Sequence, residues 1–280
     1  MLRTRTPTCV LTSASAPRTT HGHHPDRYVQ IGSLTKVLTG TAFVRMASAG
    51  LLDAADPVER WLPAPHGTGI TLQHLAEHTS GLPRQPPGLP GKDPYRSFDT
   101  AALHRLLGRC HEITVAPAGT TKEYSNLGYA ALGAALSAAA QLPYEQLIHD
   151  HVLTPLGIRE ITAHPPAERC LHPTGLFGRR RHQWTLDGAI LPSGGLWATP
   201  RATAHLLKGL LGDRKFGAPA PAWQTTGLVT WHNGATGTSS AFAGALPDGA
   251  WVLVHRIGGT SSDTDRMGVE LLKDAARPSG

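Results

Sequence analysis

Apolar and polar residues are distributed differently in different parts of the chain. Residues 33–49 are nearly all apolar, which predicts a helix that is buried on every side and ends at Gly50. Short segments near both ends of the chain predict strands, the later three antiparallel. These segments are residues 8–14, 226–231, 240–246 and 251–256, and a last helix is predicted over residues 264–276.

The middle of the chain predicts helices that are joined by long loops. Three of these helices begin at a side chain that can accept a hydrogen bond from a free N–H group: Thr71, Asp99 and Thr199. Asn126 is predicted to cap an Ala-rich helix that runs to Gln141 in the same way. A further helix is predicted between Pro143 and Pro155, and loops over residues 17–30 and 85–95.

This order of elements predicts an α+β fold. Residues 1–60 and 190–280 are expected to build one lobe, an antiparallel sheet flanked by helices. Residues 61–189 are expected to form an all-helical lobe inserted into it. At 280 residues the chain is long enough for a single large domain, and we expect residues 1–280 to form one.

The positive net charge of +6 does not by itself indicate a nucleic-acid partner. Twenty of the 26 basic residues are Arg, and the richness in Arg, Ala, Gly and Pro with scarce Lys and Asn is typical of a GC-rich coding bias. The densest basic run, Arg179-Arg180-Arg181-His182, is interpreted as a solvated loop. No nucleic-acid partner is therefore expected, and the sequence leaves the oligomeric state open.

The start of the chain does not resemble an export signal. Residues 1–5 are basic, but the apolar stretch that follows is only Cys9-Val10-Leu11. No apolar run is long enough to cross a membrane. We expect a cytoplasmic protein without a membrane partner.

The residues that could bind a metal or form disulfides are sparse. Three widely spaced cysteines, Cys9, Cys110 and Cys170, indicate neither a disulfide framework nor a thiolate zinc site. The cluster His21-Gly22-His23-His24 lacks further ligands at a matching spacing and is predicted to be an exposed loop. We expect no metal and no cofactor.

Ser33 and Lys36 begin the buried helix as an S-x-x-K motif. Residues three apart lie on one face of a helix, so the Lys36 nitrogen can reach the Ser33 hydroxyl. A buried lysine loses its proton readily and can act as a base. The motif alone is weak evidence, but Lys36 stands among apolar residues, where a charge without a partner is costly.

Two further motifs use the only two asparagines of the chain. Tyr124-Ser125-Asn126 is a Y-x-N motif, for which about 0.04 matches are expected by chance. His232-Asn233-Gly234 is an H-x-G motif, which is common by chance but lies at the end of a predicted strand. Gly234 would let a substrate backbone approach the strand edge.

These three motifs, in this order, resemble those of the serine β-lactamase and penicillin-binding protein superfamily. The resemblance is strongest to the class C β-lactamase-like branch, which includes DD-peptidases, D-aminopeptidases and carboxylesterases. It implies the fold of that superfamily, a β-lactamase/transpeptidase-like fold. Three other segments share it: residues 28–36, 72–82 and 194–199.

The resemblance implies a role for each motif residue. Ser33 is implied as the acylated nucleophile, Lys36 as its activator, and Tyr124 as the group that passes a proton to the leaving group. The implied substrate-binding residues are Asn126 for a carbonyl or amide, His232 for positive or hydrogen-bonding character beside Tyr124, and Ala235, whose N–H forms an oxyanion hole with that of Ser33.

The departures from the family pattern bear on the substrate. His232 stands where β-lactamases that bind a carboxylate usually have Lys. We therefore expect a serine hydrolase of small esters, amides or D-amino-acid peptides, with weak or no β-lactamase activity. An acyltransferase that uses the same acyl-enzyme, and a non-catalytic ligand-binding or sensor protein, stay as alternatives. His78 is predicted to be structural.

Overall fold

The computed structural model describes residues 6–89, 91–174 and 181–275. In these residues the chain forms nine strands, numbered in chain order. They are β1 (Thr8–Thr12), β2 (Arg18–Thr20), β3 (Val29–Gln30), β4 (Ile161–Thr162), β5 (Trp197–Ala198), β6 (Gln224–Thr226), β7 (Val229–Ala235), β8 (Ser239–Ala245) and β9 (Trp251–Ile257).

Helices separate the early strands from the late ones. They are α1 (Thr35–Ser48), α2 (Leu72–Ala76), α3 (Thr100–Leu107), α4 (Cys110–Ile113), α5 (Asn126–Ala140), α6 (Tyr144–Ile148), α7 (Thr154–Leu156), α8 (Leu191–Gly194), α9 (Pro200–Leu207) and α10 (Ser261–Ala275). Shorter 3₁₀ turns lie at Gly32–Leu34, Val58–Arg60 and Ala167–Arg169, and wider π-helical turns at His149–Leu153 and Lys208–Gly212. No helix in the described ranges has the length and apolar character needed to cross a bilayer.

A six-stranded antiparallel sheet brings the two ends of the chain together. Its strand order is β2-β1-β9-β8-β7-β6. Strand β1 pairs with β9, and Cys9 lies opposite His255. A smaller sheet has the order β3-β5-β4. The predicted α+β class, with an antiparallel sheet flanked by helices, is confirmed.

The large sheet has a hydrophobic core on each face. Side chains alternate between the two faces along a strand, so Leu253 enters the main core while its neighbour Val254 enters the smaller one beneath α10. Helix α1 lies in the main core, where it contacts α5 and α8. The prediction that residues 33–49 form a buried central helix is confirmed.

The strands at the edges of the sheet differ from the prediction. The segment 226–231 is not one strand, because the chain reverses at residues 227–228 and separates β6 from β7. Strand β7 therefore extends to Ala235, and the H-x-G motif lies near the end of this strand as predicted. Strand β2 lies in the predicted loop 17–30. Its three side chains are all exposed, so no apolar pattern marks it.

Helix starts follow the capping residues closely. The side chains of Thr71, Asp99 and Thr199 each accept a hydrogen bond from the backbone N–H three residues later, as predicted. The prediction that Asn126 caps its helix is wrong, because Ser125 does so. The Ser125 hydroxyl accepts a hydrogen bond from the Gly128 N–H at 2.8 Å. The Asn126 side chain is thereby free to point elsewhere.

Two other helix boundaries differ. The helix after Pro143 does not end before Pro155 but continues to Leu156. The wider turn at His149–Leu153 precedes Pro155, whose missing N–H prevents the ordinary hydrogen bond. Helix α10 begins at Ser261, three residues earlier than predicted, and its predicted last residue, Ala276, lies outside the described residues. Arg179 and Arg180 of the predicted basic loop also lie outside them.

The prediction of an exposed histidine cluster is wrong for His23, which is 4% exposed. Its Nδ1 accepts a hydrogen bond from the His24 N–H at 2.8 Å. Its Nε2 lies 2.8 Å from Nδ1 of His255, whose Nε2 lies 3.1 Å from the Gln30 carbonyl oxygen. Since that carbonyl only accepts, both Nε2 atoms carry the proton and donate. The result is a chain of hydrogen bonds between neutral imidazoles that ends at Gln30.

Candidate active site

The 3₁₀ turn Gly32–Leu34 presents Ser33 at the edge of β7. Gly32 has a φ of +53°, and a Cβ added to it would lie 2.8 Å from the nitrogen of Ala235. A Cβ on Gly234 would lie 2.0 Å from the carbonyl oxygen of Ile31. Glycine is required at both positions because the turn and the strand pack backbone against backbone. This contact brings the backbone of Ser33 close to that of Ala235.

Gly234 has a role within the fold itself. It makes room for the chain's own turn, and it is not among the described residues that line the cleft. Its predicted role at a substrate backbone stays a prediction. Ala235 does line the cleft, together with Ser33.

Lys36 is fully buried in the first turn of α1 and has three polar partners. Its Nζ lies 2.7 Å from Oδ1 of Asn126, 2.6 Å from the carbonyl oxygen of Ser193 and 3.3 Å from Oγ of Ser33. Burial holds the pKa of Lys36 well below its ordinary value, and the charge of Arg84 acts in the same direction. The site thus favours a neutral amine next to the Ser33 hydroxyl.

Tyr124 precedes α5 and lies between several other site residues. The ring of His78 stacks on it at 4.5 Å, Lys36 Nζ lies 4.8 Å from its ring centroid, and Arg84 Cζ lies 5.0 Å from it. Burial raises the pKa of Tyr124 to about 12, against the lowering effects of the Ser33 side chain and of Arg84. The phenol therefore keeps its proton at neutral pH.

Asn126 contacts Lys36 as well as the cleft. Its Oδ1 accepts a hydrogen bond from Lys36, and its other end faces the hydroxyl of Tyr95. It is partly exposed and lines the cleft. Its predicted contact with a substrate carbonyl or amide stays a prediction.

His232 belongs to β7 and is fully buried. Its Nδ1 donates a hydrogen bond to the carbonyl oxygen of Ala222 at 2.8 Å, while Nε2 faces the backbone of Ser33 without a hydrogen bond of normal geometry. Burial lowers the pKa of His232 to about 4, and Lys36 acts in the same direction. The lowered pKa favours a neutral imidazole at pH 7, and so the hydrogen-bonding character beside Tyr124 over the positive one. A hydrogen-bonding role of Nε2 stays a prediction.

His78 orients the segment that carries Tyr124. Its Nδ1 accepts a hydrogen bond from the Ser125 N–H at 3.0 Å. Its pKa is lowered to about 3, first by burial and then by the charge of Lys36. The imidazole is therefore neutral and holds the Tyr124–Asn126 turn in place, in agreement with a structural role.

These residues meet in a cleft of about 510 Å³ between the edge of β7 and the helical part of the chain. A pocket of about 590 Å³ between α3 and α5 is larger, but no predicted site residue lines it. Within the described residues no three His, Cys, Asp or Glu side chains are placed to hold a metal ion. The lining of the cleft includes Ser33, Arg84, Gln85, Tyr95, Tyr124, Asn126, Trp184, Ser193, Trp231, Asn233, Ala235 and Ser261.

Several cleft residues were not singled out as site residues in the sequence, and three of them bear on the chemistry. Arg84 and Ser193 belong to no motif, and Ser193 contributes a backbone carbonyl, which no side-chain pattern reveals. Asn233 is the middle residue of H-x-G. Because side chains alternate along a strand, it faces the side of β7 opposite to His232, and the sequence could have indicated this. Its Nδ2 donates a hydrogen bond to Asp265 at 2.8 Å, and burial raises the pKa of that carboxyl.

Curated relatives match a part of the chain. The D-alanyl-D-alanine-carboxypeptidase/endopeptidase AmpH of Escherichia coli K12 is 33% identical over 183 residues, which is 62% of this chain and 46% of the relative. The putative penicillin-binding protein PbpX of Bacillus subtilis 168 is 29% identical over 46% of this chain and 31% of its own length. The chain thus spans less than half the length of these two relatives.

Solved structures share the fold over nearly the whole chain. A β-lactamase/D-alanine carboxypeptidase from Yersinia pestis has a TM-score of 0.79 at 24% identity and covers 97% of this chain and 92% of its own. D-amino acid amidase from Ochrobactrum anthropi SV3 has a TM-score of 0.78 at 17% identity, with 97% and 94% covered. Both confirm the β-lactamase/transpeptidase fold. The Beta-lactamase family model matches residues 10–266, and the chain belongs to that family.

Proposed function

We propose that the protein is a serine hydrolase that forms an acyl-enzyme on Ser33. Membership of the Beta-lactamase family supports a hydrolase of the β-lactamase or penicillin-binding protein type. The names of its relatives, a D-alanyl-D-alanine-carboxypeptidase/endopeptidase and a D-amino acid amidase, support D-amino-acid peptides and amides as one substrate class. Small esters are the other class that we propose.

The hydrogen bonds of Lys36 are the observation that carries this proposal. A neutral amine has two N–H groups and one lone pair. Two of its three neighbours, the Asn126 Oδ1 and the Ser193 carbonyl oxygen, only accept hydrogen bonds and so take both N–H groups. The lone pair is left for Ser33 Oγ at 3.3 Å. Lys36 is thereby arranged to accept the Ser33 proton.

Acylation then follows from this arrangement. Ser33 Oγ attacks the substrate carbonyl as its proton passes to Lys36 Nζ, and the carbonyl oxygen becomes an oxyanion. The N–H groups of Ser33 and Ala235 would stabilise that oxyanion. Tyr124 donates its phenolic proton to the leaving group and is reprotonated by the Lys36 ammonium, which returns the amine to its neutral form.

Deacylation reverses these proton transfers. Water gives one proton to the neutral Lys36 as its oxygen attacks the ester carbonyl. The bond between the carbonyl carbon and Ser33 Oγ then breaks, the acid leaves, and Ser33 Oγ takes the proton back from the Lys36 ammonium. An amine or alcohol in place of water would give acyl transfer by the same steps, so the alternative acyltransferase differs only in the second nucleophile.

The cleft also supports the substrate class. Strand β7 offers no cation to a substrate carboxylate, since His232 is neutral and Asn233 is bonded to the Asp265 carboxyl. This agrees with weak or no turnover of β-lactams, which carry such a carboxylate.

Intact-protein mass spectrometry tests the proposal. The protein is mixed with a p-nitrophenyl ester, a chromogenic cephalosporin or a fluorophosphonate, and Ser33→Ala is treated in parallel. We expect a covalent adduct that requires Ser33, turnover of the ester, and little turnover of the cephalosporin. A folded protein that forms no adduct with any probe would overturn the hydrolase and favour a non-catalytic binding protein.

A further inference from the structure

The walls of the cleft carry very little charge. Of the described residues that line it, Arg84 is the only one with a charged side chain. Lys36 lies beneath the floor and is fully buried, and the Asp265 carboxyl stands behind Asn233. A substrate bound above Ser33 therefore meets one fixed charge, which belongs to the helical side of the cleft.

Arg84 is held next to Tyr124 by its backbone. The Asn126 N–H donates a hydrogen bond to the Arg84 carbonyl oxygen at 2.8 Å. The Ser125 hydroxyl donates another to the Pro83 carbonyl oxygen at 2.8 Å. These two bonds tie the loop that carries Arg84 to the turn that carries Tyr124, and the guanidinium lies over the Tyr124 ring, with 5.0 Å from Cζ to the centroid.

The pKa shifts of the other titratable groups around Tyr124 favour their neutral forms at pH 7. The His78 and His232 rings, 4.5 and 6.4 Å from the Tyr124 ring, have pKa values lowered to about 3 and about 4. Lys36 is held toward its neutral form, and Tyr95, which also acts on Tyr124 through its charge, has a raised pKa. A guanidinium, in contrast, keeps its proton at every working pH.

We propose that Arg84 is an electrostatic positioning residue that acts through Lys36 and Tyr124. Its fixed charge disfavours a second positive charge on Lys36 and stabilises negative charge on Tyr124 while protons move between them. This inference rests on the proposed function, because it concerns the same proton transfers. The positive charge of the site is thus supplied by Arg84 on the helical side of the cleft, because β7 carries no cation.

The exposure of Arg84 sets the size of this effect. Its side chain is exposed, so solvent and salt screen its charge. We expect a moderate contribution that weakens in concentrated salt. A role as a receptor for substrate anions would have a different signature, since it would depend on the charge of the substrate.

The pH dependence of a neutral ester tests the proposal. We compare kcat/KM between pH 5 and 10 for the wild type, Arg84→Gln and Arg84→Lys, with Arg105→Gln on the exposed side of α3 as the control. Arg84→Gln is expected to lower kcat/KM about tenfold at pH 7 and to shift the acidic limb, which reports Lys36, upward by about half a pH unit or more. Arg84→Lys should restore most of both, and Arg105→Gln should match the wild type.

A second measurement does not depend on turnover. The chain has six lysines, so the ¹³Cε resonance of Lys36 can be assigned by its loss in Lys36→Arg and then titrated. We expect Arg84→Gln to raise the pKa of Lys36 by a shift similar to that of the acidic limb. Thermal melting of each variant verifies that it is folded.

The outcomes separate this proposal from the proposed function. If wild-type protein forms a Ser33 adduct but Arg84→Gln leaves the acidic limb and the Lys36 titration unchanged, only the role of Arg84 is overturned. A loss confined to anionic esters, without a shift of the acidic limb, overturns it too and makes Arg84 a substrate contact. If the wild type forms no adduct with any probe, the hydrolase fails and the role of Arg84 fails with it.

Discussion

Tyr124 combines a buried ring with a hydroxyl beside Ser33, and these two features serve different purposes. The ring packs between His78, Lys36 and Arg84 and so fixes the position of the oxygen. The high pKa, about 12, keeps the phenol protonated, which suits a group that gives a proton to a leaving group. Its contribution should therefore depend on how much the leaving group needs that proton.

Tyr124→Phe tests this dependence because it removes the hydroxyl and keeps the ring. For an amide, whose leaving nitrogen must be protonated, we expect kcat to fall by about 10² to 10⁴. For a p-nitrophenyl ester, whose leaving group departs as an anion, the loss should be about tenfold or less. KM should change little for either substrate. Equal losses of kcat for both substrates would contradict the assigned role.

At the scale of elements, the contact between the nucleophile turn and β7 determines where Ser33 stands. The turn and the strand touch through backbone atoms, at Gly32 and at Gly234. The geometry of Ser33 and Ala235 then depends on the closeness of two elements that are about 200 residues apart in the chain.

Gly234→Ala should separate these two elements. Its methyl group would be forced against the Ile31 carbonyl, so we expect a loss of stability of about 1–3 kcal/mol and a fall of at least about tenfold in the rate of Ser33 acylation. Val252→Ala is the matched control, because it removes atoms from the smaller core beneath α10 at a similar cost in stability. Acylation that is equally fast in both variants would show that the contact has no part in the chemistry.

The elements also show which parts of the fold could be predicted from sequence. Helix starts at Thr71, Asp99 and Thr199 were predictable because a cap is a local interaction over three residues. Strand β2 was not, since its pairing with β1 is made by backbone groups while its side chains face solvent. The ends of β7 were missed because its partner strands, and not its own residues, decide where pairing stops.

In the candidate site, too, local interactions could be predicted from sequence and contacts between distant segments could not. Spacing within one helix placed Lys36 near Ser33, and the motif Tyr124-Ser125-Asn126 located a second group that the structure brings to the same cleft. Arg84 and the Ser193 carbonyl could not be predicted, because their places depend on loops that fold back from distant parts of the chain.

At the scale of the whole molecule, burial keeps several basic groups neutral. Four imidazoles have strongly lowered pKa values, about 4 for His23 and His232 and about 3 for His78 and His255. Burial is the largest cause in each case. Lys36 is held toward neutrality by the same cause. The folded protein therefore binds fewer protons than the unfolded chain in mildly acidic solution.

This difference predicts steep acid destabilisation. An imidazole in the unfolded chain has a pKa of about 6.5, so stability is fully present above that pH and is lost as the pH falls toward the folded values. Each neutral imidazole contributes up to about 1.4 kcal/mol per pH unit, or roughly 5 kcal/mol per unit for four. At that slope, a decrease of about one to three pH units would reduce a typical free energy of unfolding to zero.

Urea unfolding between pH 7.5 and 5 measures the slope. We expect proton uptake on unfolding to increase by about three to four between pH 7.5 and 5 as the four imidazoles titrate, and this increase to fall by about one in His255→Gln. The carboxyl groups with lowered pKa values, such as Asp56 and Asp93, titrate below this range and do not obscure the result. An increase of fewer than two protons over this range would contradict the assigned protonation states.

Hydrogen exchange of the imidazoles that are linked to Gln30 can measure how often the sheet opens locally. The Nε2 protons of His23 and His255 are buried and hydrogen-bonded, so they can exchange with deuterium only when β9 separates from its surroundings. The carbonyl of Gln30 lies three residues before Ser33, at the joint between the small sheet and the nucleophile turn. The exchange lifetimes of these two protons therefore report how often the structure opens locally between β3 and the nucleophile turn.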